Sequence, residues 1–258
     1  MPTDEIFPNP TVKQVIFQIR FPALFYVERR IGDFQIRIMK RFPSSSLLYR
    51  RNILIADLAP EAKIQDLPAE VQPDQARKIW VFKSADATVE VSLTQDSMSL
   101  VSQHHKTYNH PDASSADRFR DMIEFAVGEF LGVVPLPIIT RIGLRYIDEC
   151  PVPARNSTTF RDWYNTSFAL DRFPLEDAED VEFKTCLKRG RHFLRFAEAF
   201  KQKEDGNTAY VLDFDAYSIN VEPPNYLAVA DELHELIRTE YFQAIKPPVH
   251  EHMRRKAD

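Results

Sequence analysis

The stretch IITRIGLRYIDE, residues 138–149, lies near the middle of the 258-residue chain and decides how the rest is divided. Its alternation predicts a β-strand, because successive side chains of a strand point to opposite faces of a sheet. One predicted face is apolar and consists of Ile142, Leu144 and Tyr146. The other face carries Arg141, Gly143 and Arg145.

Gly143 leaves a place without a side chain between two cations, where another backbone or a ligand can approach closely. Two interpretations follow. In the first, Arg141 and Arg145 pair with carboxylates on neighbouring strands and the glycine relieves crowding. In the second, the two arginines bind an anion or a partner protein.

The order of predicted elements before residue 138 is repeated after it. Each half reads as a strand, a helix, several antiparallel strands and a long helix, and this repetition indicates a pseudo-duplication. We therefore predict an α+β fold of two pseudo-repeats, residues 1–137 and 138–258, packed as one unit. Helix-backed antiparallel sheets would bury every apolar face, as in the saddle-shaped TBP-like folds or a similar two-layer arrangement.

In the first half, VKQVIFQIRFP (residues 12–22) alternates as a half-buried strand. Pro22 is expected to make this strand bulge or end, with LFYVE continuing it. Gly32 and Asp33 resemble a helix start, and the helical spacing of apolar residues runs on to Pro43. Residues 44–76 are predicted to be a long connection with one short strand at NILIADL. The helix that ends near Leu131 is expected to begin at Ser114 or Ser115.

In the second half, TFRDWYNTSF (residues 159–168) predicts a short helix. Strands are expected at FKTCLKRG, HFLRFAEAFK and AYVLDFDAYSI, with the turn DGN (residues 205–207) joining the last two. Pro223 and Pro224 introduce the last long helix, and the charged tail after Pro248 either extends this helix or frays.

Composition excludes several classes of function. A net charge of −5 argues against a general affinity for nucleic acid or an anionic membrane. The N-terminus lacks a signal peptide and no apolar run approaches about 20 residues, so we expect a cytoplasmic protein. Cys150 and Cys186 have neither metal nor redox spacing, and Cys186 is read as a small strand residue or a reactive thiol. With 6 glycines and no phosphate-loop or hydrolase motif, the sequence predicts no cofactor, no metal and no catalytic residue.

Three segments carry a family resemblance: NPTVKQVIFQIRFP, RIGLRYIDECPVP and AYVLDFDAY with the following LHELIRTEYF. Together they resemble a sporadically distributed family of uncharacterised prokaryotic proteins. The resemblance spans most of the chain but implies no activity, ligand or catalytic residue. Scattered occurrence implies horizontally exchanged accessory genes and a stress or defence context.

Asp213 and Asp215 share one face of the last predicted strand, about 7 Å apart. If this strand neighbours the central one, the two carboxylates face Arg141 and Arg145. Three roles fit such a group: a structural Arg–Asp lattice, recognition of a polar partner, or a paired-carboxylate site for a divalent metal or acid–base chemistry.

The densest basic run in the interior is KRGRH, with Arg189, Arg191 and His192, which predicts either a solvated turn or a contact with phosphate or an acidic partner. The segment QHHKTYNHPD contains His104, His105 and His110 and is expected to be a surface loop. To bind a metal, these histidines would have to converge with Asp112 on one point. His234 is predicted to be a hydrogen-bonded histidine at the edge of the core.

The leading hypothesis is a non-enzymatic binding or regulatory protein that recognises a protein partner or a small anionic ligand on the polar sheet face. Its candidate binding residues are Arg141, Arg145, Asp213, Asp215, Arg189, Arg191 and His192. The alternatives are a metal-dependent hydrolase or nuclease that uses Asp213 and Asp215, and a nucleic-acid-binding protein. A homodimer is a candidate oligomeric state.

Overall fold

The computed structural model describes residues 7–50, 77–103, 105, 108–109, 118–152, 154–202 and 208–255. Its strands are β1 Val12–Arg20, β2 Ser44–Arg50, β3 Arg77–Lys83, β4 Val89–Leu93, β5 Ser97–Ser102, β6 Ile139–Cys150, β7 Asp180–Arg189, β8 His192–Gln202 and β9 Thr208–Val221. Its α-helices are α1 Tyr26–Ile38, α2 Phe119–Leu131, α3 Ser157–Trp163, α4 Tyr226–Ala244 and α5 Pro247–Arg254. The fold class is therefore α+β, as the sequence predicts.

The nine strands form one antiparallel sheet in the order β2-β3-β4-β5-β1-β6-β9-β8-β7. The predicted central strand is β6, which pairs with β1 on one side and β9 on the other. Its apolar residues lie opposite apolar residues of β1, with Ile142 beside Ile19 and Leu144 beside Phe17. This register aligns the buried faces of the two strands, because a slip of one residue would turn them outward.

One face of the sheet is the core. Helix α4 packs on β6 and β9, and α2 packs on β5. Phe34 of α1 makes edge-to-face contacts with Phe82 and Phe130, while Phe160 of α3 makes them with Phe200 and Tyr210. Each fully buried side chain of this size contributes about 1.5–3 kcal/mol through the hydrophobic effect.

Three predictions for the part of the chain before residue 51 are wrong. The segment LFYVE does not continue β1, because the backbone amides of Phe21 and Leu24 donate to Asp96 and Gln95 in the β4–β5 turn and the chain leaves the sheet. Helix α1 consequently begins at Tyr26, well before Gly32. Residues 44–50 form an edge strand instead of a connection, since β2 pairs along its whole length with β3 and this pairing overrides its serine-rich composition.

Helix α2 begins at Phe119, later than Ser114 and Ser115 predict. Asp121 accepts hydrogen bonds from the backbone amide of Arg118 and from its guanidinium, and so stabilises the first turn. Ser114, Ser115 and the predicted strand NILIADL lie outside the described residues.

The second half follows the predicted order more closely. The Asn156 side chain accepts a bond of 2.9 Å from the Thr159 amide and starts α3, which ends at Trp163 because Tyr164 forms a β-bridge with Ile245. Helix α3 is therefore shorter than predicted. Gly190 makes the β7–β8 turn at a φ of +60°. The predicted turn DGN lies outside the described residues.

The tail is a separate helix. Helix α4 ends at Ala244, and the paired prolines at 247–248 begin α5, as suits residues whose missing amide hydrogens are not needed in a first turn. Val249 and Met253 bury this short helix against the rest of the core. No helix among the described residues is long and apolar enough to cross a membrane.

Candidate functional site

The polar face of the sheet, opposite the helices, is called the open face below. It carries the side chains that alternate with the core residues of β6, β8 and β9. Those nearest its centre are Arg141, Gly143, Arg145, Arg195, Asp213, Asp215 and Tyr217. The structure therefore brings together the four charged residues predicted from the two strands, because β6 and β9 are neighbours.

Arg145 and Asp213 form a bidentate ion pair. The Arg145 Nε donates to Asp213 Oδ1 at 2.7 Å, and Nη2 donates to Oδ2. This hydrogen bonding raises the pKa of the Arg145 guanidinium. The pair is only partly buried, with 42% of the arginine side chain exposed, so one edge of the guanidinium still reaches solvent.

Arg141 and Asp215 form the second pair, and the glycine between the two arginines explains its shape. The Arg141 Nη2 lies 2.7 and 2.8 Å from the two carboxylate oxygens of Asp215. A Cβ on Gly143 would lie 2.6 Å from Arg141 Nη1. The space above Gly143 is thus occupied by the neighbouring guanidinium, so the glycine relieves crowding at this position.

Arg195 of β8 is a site residue that the sequence prediction missed, as are Lys184 and Tyr217. It lies directly beside Asp215 in the β8–β9 register, and its guanidinium carbon is 5.2 Å from the centre of the Tyr217 ring. Its side chain is exposed. Among the described residues no carboxylate forms an ion pair with it, because Asp213 and Asp215 are engaged by Arg145 and Arg141.

Tyr217 lies between two cations. The guanidinium of Arg141 is 4.6 Å from its ring centre, on the same open face as Arg195, and Phe193 stacks on the ring at 5.2 Å. Burial raises the pKa of Tyr217, and the Cys186 thiol 3.9 Å from its hydroxyl adds to this effect. Aromatic faces attract cations, so Tyr217 holds both guanidinium groups close to the sheet.

These side chains border a shallow depression of about 500 Å³. Three cations line it, Arg145, Arg195 and Lys184, together with Asp213 and Asp215. Lys184 has a bridge of 2.9 Å to Glu182, but both groups are exposed and such a pair is worth at most about 1 kcal/mol. The depression therefore has more positive charge than its two carboxylates neutralise.

The remaining predicted residues, Arg189, Arg191 and His192, form a different cluster. Arg189 pairs with Glu240 at 2.6 Å, and Arg191 pairs with Glu232. These bonds tie the β7–β8 hairpin to helix α4, on the side of the sheet away from the depression. The charges of Arg189 and Arg191 are therefore neutralised by carboxylates of the same fold.

His192 takes part in the same connection between the β7–β8 hairpin and helix α4. It bonds through Nδ1 to the Ser218 hydroxyl at 2.6 Å and through Nε2 approaches Glu232 at 3.2 Å. Burial lowers its pKa, although Glu232 opposes this shift.

The histidines do not form a metal site in the described part of the chain, where no group of three His, Cys, Asp or Glu residues is placed to hold an ion. His105 is buried and bonded to Ser102, which corrects its predicted position in a surface loop. His104, His110 and Asp112 lie outside the described residues. His234 stacks on Tyr108 at 4.4 Å and bonds to the Tyr146 hydroxyl, and burial lowers its pKa to about 4.

Two carboxyl groups on the core face of the sheet were also missed. Glu198 accepts hydrogen bonds from the Tyr210 hydroxyl, the Thr166 hydroxyl and the Ser167 amide. Asp148 is 2% exposed and accepts one bond of 2.8 Å from Thr11. Burial raises the pKa of Asp148 to about 7.

In comparisons with known proteins, no family model, no curated protein and no solved structure matches the chain.

Proposed function

We propose that this chain is a binding protein that holds a small anionic ligand, a carboxylate or a phosphate ester, in the depression of the open face. The observation that supports this proposal is the exposed guanidinium of Arg195. It lies beside two carboxylates that other arginines already neutralise. An arginine in this position offers a planar fork of donors that matches carboxylate and phosphate oxygens.

The neighbouring residues make the site rigid. Arg145 is fixed by Asp213, and Arg195 rests on Tyr217, so neither guanidinium loses much side-chain freedom when an anion binds. A site of this kind is preorganised, and its ordering cost on binding is small. Lys184 supplies a third positive charge on a flexible chain that adapts to ligands of different size.

A small anion suits the site better than a long polyanion. The chain as a whole is acidic, with a net charge of −5, and would repel an extended phosphate backbone beyond the depression. Acidic side chains of a protein partner share the required chemistry, and they would contact the same three cations.

We also propose that residues 1–137 and 138–258 are pseudo-repeats in a saddle-shaped, TBP-like arrangement. The strand order supports this proposal. The first strand of each half, β1 or β6, is followed by a helix and then by a meander whose last strand, β5 or β9, pairs with it. A long helix, α2 or α4, then follows.

Isothermal titration calorimetry with inorganic phosphate and with citrate tests the binding function. Arg195→Ala should weaken binding at least tenfold, because losing a hydrogen bond to a charged group costs about 1.5–3 kcal/mol. Arg191→Ala is the matched control, since it removes one arginine from the paired cluster on helix α4. Equal affinities of the Arg195→Ala variant and the unmodified protein would refute the proposal, and so would the absence of binding by either anion.

A further inference from the structure

A second cavity lies on the core side of the sheet, away from the open face. It has a volume of about 110 Å³ and is almost entirely apolar. Its walls come from the segment before β1, from β6, and from helices α4 and α5. Asp148 contributes the carboxyl group of this cavity, and Thr11, Tyr146 and Tyr241 line it as well.

The Asp148 carboxyl group has few hydrogen-bond donors around it. Among the described residues it accepts one side-chain hydrogen bond, from the Thr11 hydroxyl to its Oδ1. Glu198, equally buried on the same face of the sheet, accepts three hydrogen bonds and shows how such a carboxylate is normally accommodated. A buried carboxylate with few donors and no cation costs several kcal/mol, so its place in the wall of a cavity points to a cationic partner.

We infer that this cavity binds a small aliphatic amine as its ammonium ion, with the positive charge on the Asp148 carboxylate and the hydrocarbon part against the apolar wall. The ammonium group would supply the Asp148 carboxylate with further hydrogen-bond donors and a compensating positive charge. The rings of Tyr146, Tyr241 and Phe242 border the cavity and favour a cation through their π faces.

The volume limits the ligand. An engineered apolar cavity of about 150 Å³ holds benzene, so about 110 Å³ accommodates roughly four or five heavy atoms. Phe7, Arg238 and Phe242 are half-buried at the rim, which makes this the entrance from solvent. A branched primary amine with four carbons fits these dimensions.

The charges around the cavity are compatible with a cation. Arg238 is at the rim, but its guanidinium pairs with Glu235 at 3.0 Å. His234 is uncharged near neutral pH because burial lowers its pKa to about 4. Tyr146 and Tyr241 are neutral as well, since burial raises the pKa of both. Asp148 is consequently the group that selects the charge of the ligand.

Calorimetric titration at pH 8 with isobutylammonium and with isobutanol tests the inference, because the two share a carbon skeleton and differ in charge. We expect the ammonium ion to bind at least tenfold more tightly than the alcohol. Asp148→Asn should remove this preference. The substitution preserves shape and retains an acceptor for Thr11, so the variant is expected to fold, which its circular dichroism spectrum will show.

Two further variants separate this site from others. Glu198→Gln removes a buried carboxylate that does not line the cavity, and Arg195→Ala disables the proposed anion site, so both should keep the preference for the ammonium ion. Equal binding of amine and alcohol, unchanged binding to Asp148→Asn, or no binding of either compound at millimolar concentration would overturn the inference. These titrations contain neither phosphate nor citrate, so their results do not depend on anion binding at the open face.

Discussion

Replacing Asp148 by asparagine should make the protein more stable at neutral and alkaline pH. The carboxyl group is 2% exposed, and burial raises its pKa to about 7 from an ordinary value of 3.8. The hydrogen bond from Thr11 opposes this rise, and the negative charge of Asp213 adds to it. The folded protein therefore retains a proton that the unfolded chain gives up between about pH 4 and pH 7.

The sign of the effect follows from this difference. The folded state binds more protons in that interval, so the free energy of unfolding falls as the pH rises and becomes constant above about pH 7. At 1.36 kcal/mol for each pH unit, the difference between 3.8 and about 7 gives a penalty of about 4 kcal/mol when both states are ionised. The part of this penalty that develops between pH 5 and pH 8 is about 3 kcal/mol.

Four other buried groups near Asp148 do not titrate between pH 5 and pH 8 in the folded protein. Burial raises the pKa of Tyr146, Tyr241 and Cys150, which are all neutral below pH 8, and His234 has a pKa of about 4. A change in stability across pH 5 to pH 8 that disappears in the Asp148→Asn variant is therefore assigned to this one carboxyl group.

Urea denaturation at pH 5 and at pH 8 measures the effect. We expect the stability of Asp148→Asn relative to the unmodified protein to increase by about 3 kcal/mol between the two pH values. Asp171→Asn is the control, because it removes an exposed carboxylate from a surface ion pair and should change the free energy of unfolding by less than about 1 kcal/mol. A relative stability that is the same at both pH values would refute the reasoning.

Three further substitutions test the packing described above. Gly143→Ala should lower the free energy of unfolding by about 1–3 kcal/mol in urea denaturation, because its methyl group displaces Arg141 from Asp215; unchanged stability would contradict this contact. Glu198→Gln should cost about 1.5–3 kcal/mol through its three weakened hydrogen bonds, and an unchanged melting temperature would argue against that network. Phe160→Ala should cost about 3–5 kcal/mol by leaving a cavity under α3, measured in the same way; a loss below about 1 kcal/mol would show that α3 does not depend on this ring.

The central strand and its charged partners were predictable from the sequence. Alternation alone separates Leu144 from Arg145, and the same rule separates Phe214 from Asp213. Alternation does not show which strands are neighbours in the sheet. The pairing of β6 with β9 depended on the fold, and the facing of the four charges followed once that pairing was known.

Arg195 was missed for the same reason. Its position beside Asp215 follows from the register between β8 and β9. That register depends on the length of the turn between the two strands, which the sequence does not determine. Asp148 carried a signal that was available. Continuing the alternation of Leu144 and Tyr146 by one step places Asp148 on the core face, where a carboxyl group is unexpected and therefore informative.

The errors in the first half arise where local patterns compete with long-range pairing. The serines of β2 favour a loop, yet hydrogen bonds to β3 along seven residues outweigh that preference. At the end of β1, Pro22 removes a backbone donor, and the chain finds new partners in the β4–β5 turn. Neither outcome can be read from a window of neighbouring residues.

The two proposed sites share the strand β6 and are electrostatically connected through it. Arg145 on the open face neutralises Asp213, and the charge of Asp213 contributes, after burial, to the raised pKa of Asp148 on the core face. An anion bound at Arg145 and Arg195 would draw positive charge away from Asp213 and so favour the protonated form of Asp148. An ammonium ion carries the same charge as that proton, so the negative charge of the anion favours it equally. At pH 8, where Asp148 is ionised, anion binding on one face should therefore favour amine binding on the other. By linkage the effect is reciprocal, so the amine should strengthen the affinity for the anion by the same factor.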